Sequence, residues 1–76
     1  MRIQITVKKD HKMYRKYPTP YRLTNFINSK AKLLLNKGFK ISIKVFYDNG
    51  FDNEIKNCSM DDLVWASGAF VKEYEK

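Results

Sequence analysis

Two stretches of the chain alternate between apolar and polar residues, which is the pattern of a half-buried β-strand. In residues 2–8 the apolar positions are Ile3, Ile5 and Val7. Residues 39–47 form the longer stretch, with one face made of Phe39, Ile41, Ile43, Val45 and Tyr47. Asp48-Asn49-Gly50 then predicts a turn, and residues 51–57 are expected to pair back on this strand.

The register of that hairpin follows from which side chains would meet across it. A two-residue loop at Asn49-Gly50 would set charges beside apolar residues, such as Glu54 beside Val45. A three-residue loop over residues 48–50 instead pairs Lys44 with Glu54 on the open face. On the core face it pairs Tyr47 with Phe51 and Ile43 with Ile55. Gly50 can adopt the left-handed conformation that this loop needs, so we predict the three-residue loop.

Two amphipathic helices are predicted around the second strand. Thr19 can cap the first helix and Pro20 suits its first position. Gly38 suits its end. Its apolar face consists of Leu23, Phe26, Ile27, Ala31, Leu34 and Leu35. The last helix is capped by Ser59, with acidic residues in its first turn, and its inner stripe is Leu63, Ala66, Phe70 and Tyr74. Gly68 within it is expected to allow close packing.

The predicted order is β-α-β-β-α in a single small α+β domain over residues 1–76. We expect a three-stranded mixed sheet with both helices on one face, because a helical crossover makes the first two strands parallel. Residues 9–19 show no clear period and are predicted as a long loop. A short extra strand at 12–17, folding back through Asp10-His11, is the alternative. The order resembles a ferredoxin-like unit that lacks its last strand, and we find no internal repeat.

Charge divides the chain into two parts. The net charge is +7, but residues 1–47 carry a balance of +11 and residues 48–76 a balance of −4. This asymmetry indicates a basic face and a more acidic one. The single cysteine excludes an intramolecular disulfide, and no apolar run has the length of a signal peptide or a membrane span. We therefore expect a cytoplasmic protein.

Motifs for catalysis or cofactor binding are not found in the sequence. With one His and one Cys, a zinc site built from this chain is not expected. There is no glycine-rich phosphate loop and no nucleophile elbow. His11 lies in a charged segment that favours solvent exposure, and Cys58 is predicted to be an inert structural thiol. We expect a protein that is not an enzyme and that holds no metal or cofactor.

The segment 8–22 is the strongest candidate for a binding site. It interleaves cations, which contact phosphates, with tyrosines, which can stack on unpaired bases. It also leads to a helix N-terminus, where free N–H groups favour an anion. The predicted contacts with nucleic acid or another partner are Lys8, Lys9, Lys12, Tyr14, Arg15, Lys16, Tyr17 and Arg22, with Lys40 and Lys44 from the sheet.

Trp65 lies off the inner stripe of the last helix. It is either a core-edge residue or an anchor for a protein partner, since tryptophan is frequent among interface hot spots. The chain itself is expected to be a monomer or a homodimer.

Three functions fit these features. The first is a small, basic, non-catalytic module that binds nucleic acid. The second is an inhibitor or accessory protein of the phage or mobile-element type, which would bind a host nucleic-acid-handling complex such as a restriction or CRISPR effector. The third is a small metal-independent ribonuclease toxin that would use His11, Arg15, Lys16 and Tyr17.

Overall fold

The computed structural model describes residues 1–75, which form a four-stranded sheet covered by helices. The strands are β1 (Arg2–Lys9), β2 (Lys12–Lys16), β3 (Lys40–Phe46) and β4 (Asp52–Ile55). Between β2 and β3 run α1 (Pro20–Phe26), a π-helical turn (Ile27–Ala31) and α2 (Lys32–Asn36), which follow one another as one helical segment. After β4 comes α3 (Met60–Tyr74).

The sheet differs from the three-stranded mixed sheet that the sequence predicts. Its strand order is β2-β1-β3-β4, and all neighbouring strands are antiparallel. The small α+β domain with two helices on one sheet face is confirmed, but the parallel pair of strands and the ferredoxin-like order are wrong. The cause is β2, because an additional strand before the helix reverses the chain and makes β1 and β3 antiparallel.

Strand β2 lies where we predicted a long loop, so the alternative of an extra strand is correct. It pairs with β1 from Ile5–Lys16 to Lys9–Lys12, around a two-residue turn in which Asp10 has a φ of 53°. All five of its residues are exposed. A strand that buries neither face has no apolar alternation, which explains why the pattern did not reveal it.

The core lies between the sheet and the helices. Antiparallel pairing sets Ile5 opposite Ile43 at its centre. The predicted inner positions of both central strands are buried, namely Ile3, Ile5, Val7, Ile41, Ile43 and Val45. They pack on buried residues of the helices, including Leu23, Ile27, Ala31, Leu63 and Ala66. Since directly opposed residues share a sheet face, the even-numbered residues of β1 and β3 form the other face.

The helix boundaries follow the predicted capping signals. The Thr19 hydroxyl accepts a hydrogen bond from the Arg22 backbone N–H at 3.3 Å. Ser59 and Asp62 form a reciprocal capping box. Gly38 ends the helical segment with a φ of +91°. The π-helical turn was not predicted, and no residue type within it signals such a turn.

The β3–β4 hairpin has the predicted three-residue loop. Lys44 faces Glu54 and Ile43 faces Ile55, and the Tyr47 N–H donates to the Phe51 carbonyl at 2.8 Å. However, Phe51 is 72% exposed and Tyr47 is also exposed, so the end of the hairpin extends past the core.

The inner stripe of α3 is shorter than predicted. Leu63 and Ala66 are buried and Phe70 is half-buried, but Tyr74 is exposed. Its ring contacts that of Tyr21 edge-on, with centroids 5.7 Å apart. The expectation that Gly68 allows close packing is wrong, since a Cβ added there would meet no atom within 4 Å.

The chain is a structural repeat of two ββα halves. The run Ile3-x-Ile5-x-Val7 recurs as Ile41-x-Ile43-x-Val45, and each run is buried at the centre of the sheet. Exchanging the two halves maps the strand order and the β1–β3 register onto themselves. The two halves therefore share an order of elements rather than a repeated sequence, since only these short hydrophobic runs match.

Candidate nucleic-acid interface

The sheet face turned away from the helices, here called the open face, carries five cations. Strand pairing places on it Arg2 and Lys8 of β1, Arg15 of β2, and Lys40 and Lys44 of β3. Its carboxylates, Asp52 and Glu54, lie on β4 at one edge. The three strands β2, β1 and β3 therefore present a basic surface. The fourth carries the two carboxylates, and each has a lysine ammonium 3.8 Å away, Lys44 for Asp52 and Lys56 for Glu54.

Among the described residues, four of these cations have no carboxylate partner, and one of the four, Arg2, lies over the Tyr17 ring. Within residues 1–75, Lys8, Arg15 and Lys40 form no ion pair. Lys44 is different, because its Nζ lies 3.8 Å from an Asp52 carboxylate oxygen and 5.2 Å from the Phe46 ring centroid. Lys44 is thus partly engaged, and Lys8, Arg15 and Lys40 remain available for an external anion.

Lys8 and Lys40 are directly opposite each other across β1 and β3. Like charges in this position destabilise a sheet. They border a shallow basin that is also lined by Thr6, Ser42 and Asn57, with Lys9, Asp10 and Gly38 around it. The Ser42 hydroxyl accepts a hydrogen bond from the Asn57 N–H at 3.2 Å, which leaves its own proton free to donate. Apart from the Asp10 carboxylate, the ionised groups in this basin are positive.

A row of flat side chains crosses the other end of the open face. The Arg2 guanidinium carbon lies 4.2 Å from the Tyr17 ring centroid, and Arg2 is paired across the sheet with Phe46. Gln4 donates to the Tyr17 hydroxyl at 2.9 Å. Tyr17 is still 51% exposed. The sequence did not predict Tyr17 on this face, because residues 9–19 were expected to form a loop.

The predicted 8–22 segment is divided between two faces by β2. Arg15 and Tyr17 lie on the open face with Lys8. Lys12, Tyr14 and Lys16 point to the opposite side, where Lys16 stacks on Tyr14 at 5.8 Å. There a groove runs between β2 and the helical segment, here called the β2 groove. It is bordered by Tyr14, Lys16, Arg22 and Lys30 over Ile5, Val7 and Phe26.

Lys9 has a role within the fold. Its Nζ donates to the Lys37 carbonyl at 2.6 Å, at the end of the helical segment, and lies 5.3 Å from the Phe39 ring centroid. A lysine in this position satisfies a helix-terminal carbonyl and complements the helix dipole. Its ammonium is therefore less available to a ligand than those of Lys8 and Lys40.

The residues considered for a ribonuclease do not converge. Along β2 the alternation sends Lys16 to the side opposite Arg15, and Tyr17 lies on the open face. His11 sits in the turn at the other end of the strand. That particular set of side chains is therefore not assembled at one site.

Trp65 is 71% exposed, so it is not a core-edge residue. It lines a second groove, between α3 and the strands β3 and β4, here called the α3 groove. Its other lining residues include Tyr47, Asn53, Ile55 and Phe70. Trp65 is far along the chain from the basic segment and belongs to a separate surface.

Neither Cys58 nor a cluster of metal-ligating side chains adds a second candidate site among the described residues. Cys58 is buried, and burial raises the pKa of its thiol above the ordinary value. In the described part of the chain, no group of three or more His, Cys, Asp or Glu residues is placed to hold a metal ion. Among the same residues, no helix combines the length and the apolar character that crossing a membrane requires.

Comparison with known proteins gives no relative: no family model matches the chain, and no curated protein and no solved structure matches it.

Proposed function

We propose that this protein is a non-catalytic module that binds single-stranded nucleic acid across its open face. The observation that carries the proposal is the set of unpaired cations Lys8, Arg15 and Lys40 on three adjacent strands. Cations of this kind supply phosphate contacts and release counterions on binding. We expect the phosphate contact between Lys8 and Lys40 to be the most favourable one, because an anion between these facing lysines relieves their mutual repulsion.

The row of Tyr17, Arg2 and Phe46 supports a single strand rather than a duplex as the ligand. Unpaired bases can stack on exposed aromatic and guanidinium planes, whereas paired bases in a duplex cannot. The row and the Lys8–Lys40 basin lie at opposite ends of the same strands. A strand crossing the open face would thus meet stacking groups at one end and phosphate-binding groups at the other.

The test is a salt-titrated binding assay by fluorescence anisotropy with single-stranded RNA, single-stranded DNA and duplex DNA. The variant combines Lys8→Gln, Arg15→Gln and Lys40→Gln. With three phosphate contacts removed, we expect the slope of log affinity against log salt to become shallower by about 2 for a single strand. Absence of binding by the parent protein at low salt would refute the proposal.

The matched control combines Lys32→Gln, Lys37→Gln and Lys72→Gln. These residues are exposed on the helical side and the triple variant loses the same net charge. We expect the control to change affinity much less. An equal loss in both variants would show that net charge alone drives binding and that the open face is not the site.

Stacking is tested separately with Tyr17→Ala. Base stacking contributes about 1–3 kcal/mol per base, so we expect weaker binding of single strands with little change in the salt slope. Equal binding of duplex DNA and single strands by the parent protein would contradict this part of the proposal.

A further inference from the structure

Strand β2 is accessible from both faces of the sheet and from its free edge. All five of its residues are exposed, and it pairs with β1 on one side only. Its cations alternate between the faces, because Arg15 lies on the open face and Lys12 and Lys16 lie on the helix side. None of the three forms an ion pair among the described residues. The basic surface therefore continues from the open face around this edge.

The β2 groove, on the helix side of this edge, is bordered by cations and not by acids. Lys16, Arg22 and Lys30 line it, and none of its described lining residues is Asp or Glu. Like Lys16, the cations Arg22 and Lys30 have no carboxylate partner within residues 1–75. A cleft lined by charges of one sign concentrates ligands of the opposite sign. The groove and the net charge of +7 thus favour the same kind of ligand, an anion.

The floor of the β2 groove is apolar. It consists of Ile5, Val7 and Phe26, and the volume of the groove is about 440 Å³. Sites for small organic ligands have volumes of about 300–1,000 Å³. A small inorganic anion would leave the floor uncovered. The groove therefore suits a ligand that combines negative charge with a compact apolar or aromatic body, and a nucleotide has both.

The border of the groove also offers contacts for a base. Tyr14 and Tyr17 line it and are 40% and 51% exposed, so their rings are accessible for stacking. The Asn25 side-chain amide lines it too and forms no hydrogen bond with another described residue. Such an amide can both donate to and accept from the edge of a base.

Tyr17 connects the groove with the open face. Its ring stacks with the Arg2 guanidinium on the open face, and the same residue lines the β2 groove. Tyr17 directly follows β2, and Pro18 after it lines the groove as well. A single strand that stacks on Tyr17 is therefore already beside the groove. This continuity favours nucleic acid over an acidic protein segment, because one ligand then covers both surfaces.

We propose that the β2 groove holds one nucleotide of the single strand bound at the open face, which turns around the end of β2 beside Tyr17. The inference rests on the proposed function and adds a second part to that site. The base lies on the apolar floor next to Tyr14, and Lys16, Arg22 and Lys30 contact the adjacent phosphates. A duplex cannot follow this path, because its bases are paired and it resists sharp bending.

The experiment measures affinity for single strands of increasing length, between about 4 and 16 nucleotides, the range covered by single-strand-binding domains. The groove variant combines Arg22→Gln and Lys30→Gln. We expect it to bind the shortest strands like the parent protein, since these fit on the open face alone. For the longest strands its affinity should be lower, and its salt slope should be shallower by about 1.4, because two phosphate contacts are lost.

The matched control combines Lys32→Gln and Lys37→Gln. Both lysines are exposed on the same helical segment outside the groove, and the variant loses the same net charge. We expect no length-dependent loss of affinity in this control. Equal effects of the groove variant and the control at every length would overturn the inference. Weaker binding of all lengths by the variant of Lys8, Arg15 and Lys40 would then still support the open-face site.

Insertion of a base is tested by NMR spectroscopy on the methyl groups of Ile5 and Val7. These residues form the groove floor on the helix side of the sheet, so a strand confined to the open face leaves their signals in place. We expect ring-current shifts with long strands and none with the shortest. Unchanged signals at saturation with a long strand would overturn the inference.

Two further outcomes would also overturn it. Failure of the parent protein to bind any strand at low salt would remove both the proposed function and this inference. An acidic peptide with one phenylalanine that shifts the Ile5 and Val7 methyl signals, under conditions where long strands bind without shifting them, would assign the groove to a protein segment.

Discussion

Lys8 and Lys40 form a pair of like charges that reduces the stability of the sheet and that lies within the proposed binding surface. Their direct opposition across β1 and β3 has no compensating carboxylate pair among the described residues. Such repulsion costs a few tenths of a kcal/mol to about 1 kcal/mol. Natural proteins frequently accept this kind of cost at functional positions.

Replacing one of these lysines by an acid should therefore separate stability from binding. For Lys40→Glu we expect the free energy of unfolding in urea to rise by about 0.2–1 kcal/mol while affinity for single-stranded nucleic acid falls. Lys32→Glu changes net charge equally but lies on the helical segment, away from the sheet. If both variants gain the same stability, the effect comes from net charge and the cross-strand repulsion is negligible.

Cys58 predicts a pH dependence of stability. Burial raises the pKa of its thiol in the folded state, so the unfolded chain loses this proton first as pH rises. Stability is therefore complete below the unfolded pKa of about 8.5 and falls as pH increases through the range between the two values. We expect the Tm to decrease above about pH 8.5, and Cys58→Ala to remove that part of the decrease.

Tyr21 provides the comparison for this measurement. Its hydrogen bond to Glu75 raises the pKa of its hydroxyl above the ordinary value of 10.0, so its effect begins at higher pH. Tyr21→Phe should thus leave the decrease that begins near pH 8.5 unchanged. If Cys58→Ala has the same pH profile as the parent, the thiol does not cause the decrease.

At the scale of elements, Gly68 offers a test of helix stability. It is exposed in the interior of α3, and an added Cβ would meet nothing within 4 Å. Gly68→Ala should raise the free energy of unfolding by about 0.5–1 kcal/mol, since glycine is entropically unfavourable in helices. Gly38→Ala should have the opposite effect, because its φ is +91°. A loss of stability in Gly68→Ala, measured by urea denaturation, would contradict this.

The elements that could be predicted are those with a local chemical signal. Helix starts followed Thr19 and Ser59, and the β3–β4 register followed from the pairing of Lys44 with Glu54. Strand β2 could not be read from hydrophobicity, because neither of its faces is buried. Its omission also produced the wrong direction for β3, since sheet topology depends on every reversal of the chain.

The same omission limited the prediction of the site. The residue types of the 8–22 segment were identified, but their distribution over two faces depends on the alternation within β2. Pairing Lys9 with Lys12 around Asp10-His11 would have placed Arg15 and Tyr17 on the open face. The α3 groove needed tertiary information, because only packing determines that Trp65 is exposed.

At the scale of the whole molecule, the charge asymmetry of the sequence is also found between the two edges of the sheet. Each half contributes one central strand, one edge strand and one helical segment. The edge strand of the first half is basic and that of the second half is acidic. The two halves share one core, but the edges of the sheet that they form, β2 and β4, differ in charge.

The strand order has a geometric consequence for any assembly that uses both margins. Three spacings of about 4.8 Å separate β2 from β4, which sets them roughly 14 Å apart. The proposed nucleic acid would cross β2, β1 and β3 and so reach within one strand spacing of β4. A second ligand at the β4 margin would therefore lie directly beside it, and the binding of one would restrict the access of the other.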